Sequence, residues 1–205
     1  MRGWLLLATV TWMVFMVACS QTPLPGDLLN ELRGIEQRDR IAIGWVYQQH
    51  ELDVILMGGK PEMRRYSITA DEAQKVVVSH EQPARISDGT EALRSPDGRW
   101  ITYRSRNNKL VLADPNGQVQ RTLLDGRQAL TPLRWSPDSK YLMYVQKGGV
   151  WVTPSLSWVL SCGDDVIYVM VYRVRDGRNG SVFEGCQGYP YWEMQWIRVP
   201  ANLPL

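Results

Sequence analysis

An internal repeat constrains this chain more than any other feature. Ser95-Pro96-Asp97-Gly98-Arg99-Trp100-Ile101-Thr102-Tyr103 recurs 41 residues later as Ser136-Pro137-Asp138-Ser139-Lys140-Tyr141-Leu142-Met143-Tyr144. Periods of this size belong to arrays and propellers, whose units bury their apolar faces against neighbours. Each copy opens with turn chemistry. Proline presets φ, aspartate bonds nearby backbone amides, and glycine accepts the positive φ of a tight hairpin corner. Ser139 replaces that glycine in the second copy. These roles account for Asp97 and Asp138 as turn residues rather than catalytic carboxylates. After each corner come a β-rich segment, a Gly/Asn turn and a second apolar segment. The turn is Asn107-Asn108 before Leu110-Val111-Leu112 and Gly148-Gly149 before Val150-Trp151-Val152. Alternation and β-branched content predict a hairpin in both copies.

The two copies resemble the PD40 repeats of the TolB family of β-propellers, whose hallmark is Ser-Pro-Asp-Gly followed by Lys/Arg and an apolar strand. The resemblance is strongest over residues 90–153. Gln118 to Gly126 looks like the outer strand and exit turn of such a blade, Gln74 to Ser79 like an earlier counterpart, and Ile41 to Tyr47 is another strand-like run. The resemblance implies an all-β fold, a small propeller of antiparallel four-stranded sheets occupying residues 39–205. At about 40 to 45 residues per blade there is room for about four blades. A closed ring, an irregular ring and an incomplete ring all fit this count. An incomplete ring leaves strand edges that pair with a second copy or another protein.

The N-terminus reads as a targeting segment. Trp4 to Val17 is a mostly apolar run behind Arg2, shorter than the roughly 20 residues a membrane-crossing helix needs and suited to a secretory signal. Met16-Val17-Ala18-Cys19 resembles the lipobox of bacterial lipoproteins, which implies a signal peptide over 1–18 and lipidation of Cys19, palmitate included. Cleavage there leaves 187 of the 205 residues. Ser20 in the next position implies the outer membrane, with the domain in the periplasm. Residues 19–38 are then a tether: Gln21 to Gly26 with Pro23 and Pro25 as a spacer, and a short helix capped by Asp27 with Leu28, Leu29, Leu32 and Ile35 on one face. Thr69-Ala70-Asp71-Glu72 matches a capping box, but the strand-like residues from Gln74 predict no more than about one helical turn. In an exported chain the remaining Cys162 and Cys186 predict a disulfide. In the loop-entropy account it stabilises the fold by roughly 3.5 kcal/mol.

Few residues carry reactive chemistry. His50 and His80 each stand alone in polar, turn-like surroundings, and no nucleophile elbow, zinc helix or phosphate-binding loop occurs. Asp164, Asp165 and Glu184 read as loop acids. No Cys/His set has zinc spacing and no loop has EF-hand spacing, so no metal and no cofactor is expected. Lys+Arg 23 against Asp+Glu 21, with no basic block, argues against nucleic acid as a partner.

The run Gly188-Tyr189-Pro190-Tyr191-Trp192-Glu193-Met194-Gln195-Trp196 is the most suggestive surface candidate, since Tyr and Trp anchor many interfaces. Tyr189, Tyr191, Trp192 and Trp196 are the candidate partner-binding residues. The competing reading places Trp192, Met194 and Trp196 on a core-facing stripe. The expected function is a noncatalytic, lipid-anchored module or scaffold that holds an envelope protein, an immunity-type inhibitor being one special case. A small propeller hydrolase or lyase and a glycan-binding propeller are the alternatives.

Overall fold

The computed structural model describes residues 23–79, 81–87, 89–124, 129–147, 166–186 and 190–205, with backbone alone for 129–132, 186 and 191. Helix α1 (Gly26–Asp39) leads into strands β1 (Ile41–Tyr47), β2 (Glu51–Leu56) and β3 (Glu62–Ser67). A short helix α2 (Ala70–Val76) precedes β4 (Gln82–Arg85), β5 (Glu91–Arg94), β6 (Ile101–Arg104), β7 (Leu110–Ala113) and β8 (Val119–Leu124). The chain continues through β9 (Ala129–Trp135), β10 (Tyr141–Lys147), β11 (Val166–Arg173) and β12 (Asn179–Cys186). It ends with a 3-10 turn (Tyr191–Glu193) and β13 (Gln195–Arg198).

The fold is mainly β, as expected, and every strand pairing is antiparallel. The described residues form three sheets, in the orders β13-β1-β2-β3, β4-β5-β6-β7-β8 and β9-β10-β11-β12. They do not close into a ring, and the second sheet has five strands because β4 adds to its edge.

The third sheet lies in the middle. One of its faces, including Met143, Val145, Val169 and Val171, packs on α1 through Leu28 and Leu32 and on the first sheet through Ile43, Trp45 and Trp196. Its other face, including Leu142, Tyr144 and Met170, packs on Leu110 and Leu112 of the second sheet. This double burial explains β11, whose eight residues are all buried. A strand covered on both faces needs a continuous apolar run, and Val166-Ile167-Tyr168-Val169-Met170-Val171-Tyr172 supplies one. The hairpin expected around Gly148-Gly149 is therefore corrected: β10 pairs with β11, from Tyr141 with Arg173 to Lys147 with Ile167. Val150 to Val152 lies outside the described residues. The first-copy hairpin forms as expected, β6 with β7, with Asn108 at φ 59° in its turn.

Both repeat corners are built identically. Ser95 Oγ donates to Asp97 Oδ1 at 2.6 Å and accepts from the Trp100 amide at 3.0 Å. Ser136 Oγ does the same with Asp138 at 2.7 Å and Tyr141 at 2.9 Å. Each aspartate then accepts from the amide two residues on. Gly98 adopts φ 74°, and Ser139 adopts φ 60° despite its side chain, so the corner survives the loss of glycine. The Ser95 and Ser136 amides close the corners on the Trp100 and Tyr141 carbonyls.

A third corner is split between the chain ends. The Val199 amide donates to the Arg40 carbonyl at 2.8 Å, which places Val199-Pro200 where the other sheets have Ser-Pro. There β13 supplies the incoming strand and β1 the outgoing one, with Ile41 opposite Arg198 and Ile43 opposite Trp196. Arg40, in the left-handed region at φ 55°, adds bonds from its guanidinium to the carbonyls of Val199, Pro200 and Leu203.

Three local expectations change. The N-cap of α1 is Pro25 with no side-chain cap bond, and Asp27 sits in the first turn, where arginines from the third sheet draw it away. Helix α2 runs seven residues to Val76, so Gln74 and Lys75 are helical. The capping box forms in both directions between Thr69 and Glu72, and Val76 is buried beneath it. Within the segment expected to be a spacer, Pro23 bridges Ser181 on the outer edge of β12, so the chain is docked on the body from Pro23 onward.

Candidate functional site

The two Ser-Pro-Asp corners lie against each other. The Asp97 amide donates to Ser139 Oγ at 3.0 Å, so the serine that replaces glycine also joins the second sheet to the third. Beside this junction, α1 and the turn after β11 close a recess of about 320 Å³. The corners contribute Arg99, Trp100, Ser139, Lys140 and Tyr141. The helix contributes Glu31, and the end of β11 with its turn contributes Arg173, Val174 and Arg175.

Arg173 organises this face. Its side chain is only 2% exposed, and its guanidinium reaches Asp27 at 2.7 Å, Glu31 at 2.8 Å and Asp176 at 2.6 Å. Asp27 and Glu31 are one helical turn apart, so both face the same strand end. Burying a guanidinium is tolerable only when its donors are met by acceptors, and four hydrogen bonds to three carboxylates do so. Arg178 also reaches Asp27, at 2.7 Å, and Arg175 reaches Glu31, at 2.6 Å.

The electrostatics follow from these contacts. Hydrogen bonding from Arg173 holds the Asp176 carboxyl down at about 2 and lowers that of Asp27. For Glu31, burial opposes ionisation, but hydrogen bonds from the Tyr141 hydroxyl, at 2.8 Å, and from Arg173 outweigh it and bring the carboxyl below its ordinary range. Burial, with the Glu31 hydrogen bond second, raises the Tyr141 phenol. These acids stay ionised as fixed acceptors. At the other end of α1 burial raises the Glu36 carboxyl, partly offset by the Met57 amide, which donates to both of its oxygens at 3.1 Å.

The residues singled out from the sequence separate. Trp196 is 1% exposed, its Nε1 donates to the Arg134 carbonyl at 3.2 Å, and its ring lies 6.3 Å from that of Tyr141. It is a core residue and presents no side-chain surface to a partner. Met194 is buried as the stripe predicts, whereas Trp192 is 54% exposed because the 3-10 turn interrupts the alternation before β13 begins. Tyr191 lies in that turn.

Cys19, Cys162, Tyr189, His80, Asp164 and Asp165 lie outside the described residues. Cys186 ends β12 opposite Val166, four residues after Cys162 in the chain. His50 and Glu184 are exposed. Among the described residues no group of three His, Cys, Asp or Glu is placed to hold a metal ion, and no helix is long and apolar enough to cross a membrane.

The Arg173 cluster escaped the sequence reading because its partners lie as far as 146 residues away. The available signal was the charged turn Arg173-Val174-Arg175-Asp176-Gly177-Arg178 directly after an apolar run, together with two acids four residues apart on a helix. No family model matches the chain, and comparison with curated proteins and with solved structures finds no match either.

Proposed function

We propose that this protein is a noncatalytic binding module of the bacterial cell envelope, held to the membrane by lipid on Cys19 and built from an open arc of propeller-type blades. The observation that carries the binding role is the recess at the Ser-Pro-Asp corners. It is concave, walled by Trp100 and Tyr141, rimmed by exposed cations, and mounted on rigid strand ends and a helix rather than on long loops. Such a combination of apolar wall and a few fixed polar groups is typical of recognition sites. The titratable groups around it are engaged in holding the face together, which favours binding over group transfer.

The propeller reading draws support from the split third corner. Pairing β13 with β1 uses one chain end to complete a sheet begun by the other, with the same corner hydrogen bond as in the two Ser-Pro-Asp copies. The envelope assignment rests on the Met16 to Cys19 motif and the apolar run before it.

Two measurements test the proposal. A photo-crosslinking residue at Lys140, with Arg64 on β3 as the control position, should capture one stoichiometric envelope protein from Lys140 alone. Labelled palmitate should enter the wild-type chain and not a Cys19→Ala variant. Equal capture from both positions, or none from Lys140, would remove the corner face as a binding surface. Label retained in Cys19→Ala would remove the anchor.

A further inference from the structure

The recess at the corners has an uneven charge arrangement. Arg99, Lys140 and Arg175 stand at its mouth with side chains 67 to 78% exposed, while their acids Asp97, Asp138 and Glu31 are 26 to 41% exposed. Cations therefore reach further into solvent than the carboxylates that balance them. Glu31 is committed to Tyr141, Arg173 and Arg175. Arg99 meets Asp97 through Nε at 2.7 Å, and Arg175 meets Glu31 through Nη2 at 2.6 Å. A guanidinium carries five donors in a planar fork, so among the described residues these contacts leave donors of both arginines for a ligand at the mouth. Trp100 and Val174 supply an apolar lining beside them. The volume, about 320 Å³, lies at the small end of ligand sites and suits one or two residues of a chain rather than a large cofactor.

We infer that this recess receives the carboxylate of an acidic side chain of a partner polypeptide, met by Arg99 and Arg175 with its carbon chain against Trp100 and Val174. Arginine forks match carboxylate geometry, and a charge-assisted pair is stronger than a neutral hydrogen bond. The inference rests on the proposed binding role of the corner face and adds the chemistry of what is bound. It also gives the outward placement of Arg99, Lys140 and Arg175 a use: at the mouth these cations stand farther into solvent than their paired acids, which favours encounter with an acidic segment.

The test uses the full-length chain in detergent and a short fluorescein-labelled, C-terminally amidated peptide of alternating Gly and Glu, with the amidated Gly/Gln peptide, which carries the same label and no side-chain carboxylate, as its counterpart. Fluorescence anisotropy should show binding of the Glu peptide, weakening with added salt, and at least about tenfold weaker binding of the Gln peptide. An Arg99→Gln/Arg175→Gln variant should lose about tenfold or more in affinity, whereas Lys60→Gln/Arg64→Gln, which removes two exposed cations on β3 and the bend before it, should stay within about twofold. Unchanged circular dichroism and thermal midpoint show that the first variant is folded. Equal binding of the two peptides, equal loss in both variants, or no binding of the Glu peptide would overturn the inference. If crosslinking from Lys140 still captures the partner in Arg99→Gln/Arg175→Gln at the wild-type level, the binding role stands and the carboxylate recess falls. If capture and peptide binding both fail, both readings fall.

Discussion

Two glycines allow one chemical change to be predicted with opposite signs. At Gly44, in the middle of β1, an added Cβ would lie 2.2 Å from the Asp53 carbonyl oxygen and 2.6 Å from Ile197 Cδ1. Ordinary contact begins near 3.4 Å, so the first overlap is more than an ångström and involves backbone of the neighbouring strand. Ile197 is fully buried and has little room to retreat. Overpacking a core position costs typically 1 to 3 kcal/mol, and with a carbonyl as the obstacle Gly44→Ala belongs near the upper end, about 3 kcal/mol. At Gly34, inside α1, nothing lies within 4 Å of the added Cβ. There alanine gains helix propensity, roughly 0.5 to 1 kcal/mol.

For a chain of this size about 1 kcal/mol moves the thermal midpoint by roughly 2 to 4 °C. Gly44→Ala should therefore lower it by about 6 to 12 °C, and Gly34→Ala should raise it by about 1 to 4 °C. Urea unfolding of both variants gives the free energies directly. Hydrogen exchange should also speed up at the β1–β13 amides in Gly44→Ala, because Gly44 pairs with Gln195 and its neighbour Ile43 with Trp196. Gly44→Ala at or above wild-type stability, or Gly34→Ala clearly below it, would refute the packing argument for that site.

Two further outcomes follow from the corners and from the buried acids. Ser139→Ala keeps the strained positive φ and deletes the hydroxyl that accepts the Asp97 amide, so it should destabilise by about 1 kcal/mol, while Ser139→Gly relieves the φ and should come out near neutral in urea unfolding. Asp27, Glu31 and Asp176 have folded pKa values below their unfolded ones. The stability they contribute is present above about pH 4.5 and is lost as pH falls through the folded values, near 2 for Asp176. Glu36 runs the other way: its folded value is raised, so its favourable contribution is present below about pH 4.5 and lost as pH rises through the folded value. Stability against pH should thus show a Glu36→Gln variant gaining on wild type from pH 4 to 7, and parallel curves would contradict the assignment.

What the sequence made legible was local. The Ser-Pro-Asp corners were readable because serine and aspartate bond within five residues of one another around a proline that presets φ, and the capping box of α2 was readable for the same local reason. The burial of Met194 and Trp196 followed from alternation, but the exposure of Trp192 did not, since the 3-10 turn changes the period just before the strand. Gly148-Gly149 carried a strong turn signal, but among the described residues β10 pairs on one side with β9 and on the other with β11, whose burial between two other sheets no local signal showed. The split corner lacked any local mark: Val199-Pro200 has neither the serine nor the aspartate, and its partner Arg40 is 159 residues from Val199. The Arg173 face was hidden likewise, because three carboxylates converge on one guanidinium only after α1 has docked on the third sheet.

Pro23, bridged to Ser181 at the edge of β12, fixes the length of the leash. The nearby Gly180 has no room for a side chain, since an added Cβ would lie 2.5 Å from Leu24 Cα, so this docking is close. From Cys19 to Pro23 there are four residue steps, at most about 14 Å of extended chain. If Cys19 carries the proposed lipid, the body would ride at the bilayer surface with the β12 edge beside the headgroups and almost no radius in which to search. On that proposal a partner of the corner face would have to arrive at the membrane, and lengthening the segment between Cys19 and Pro23 is the change that would let this protein meet one farther away.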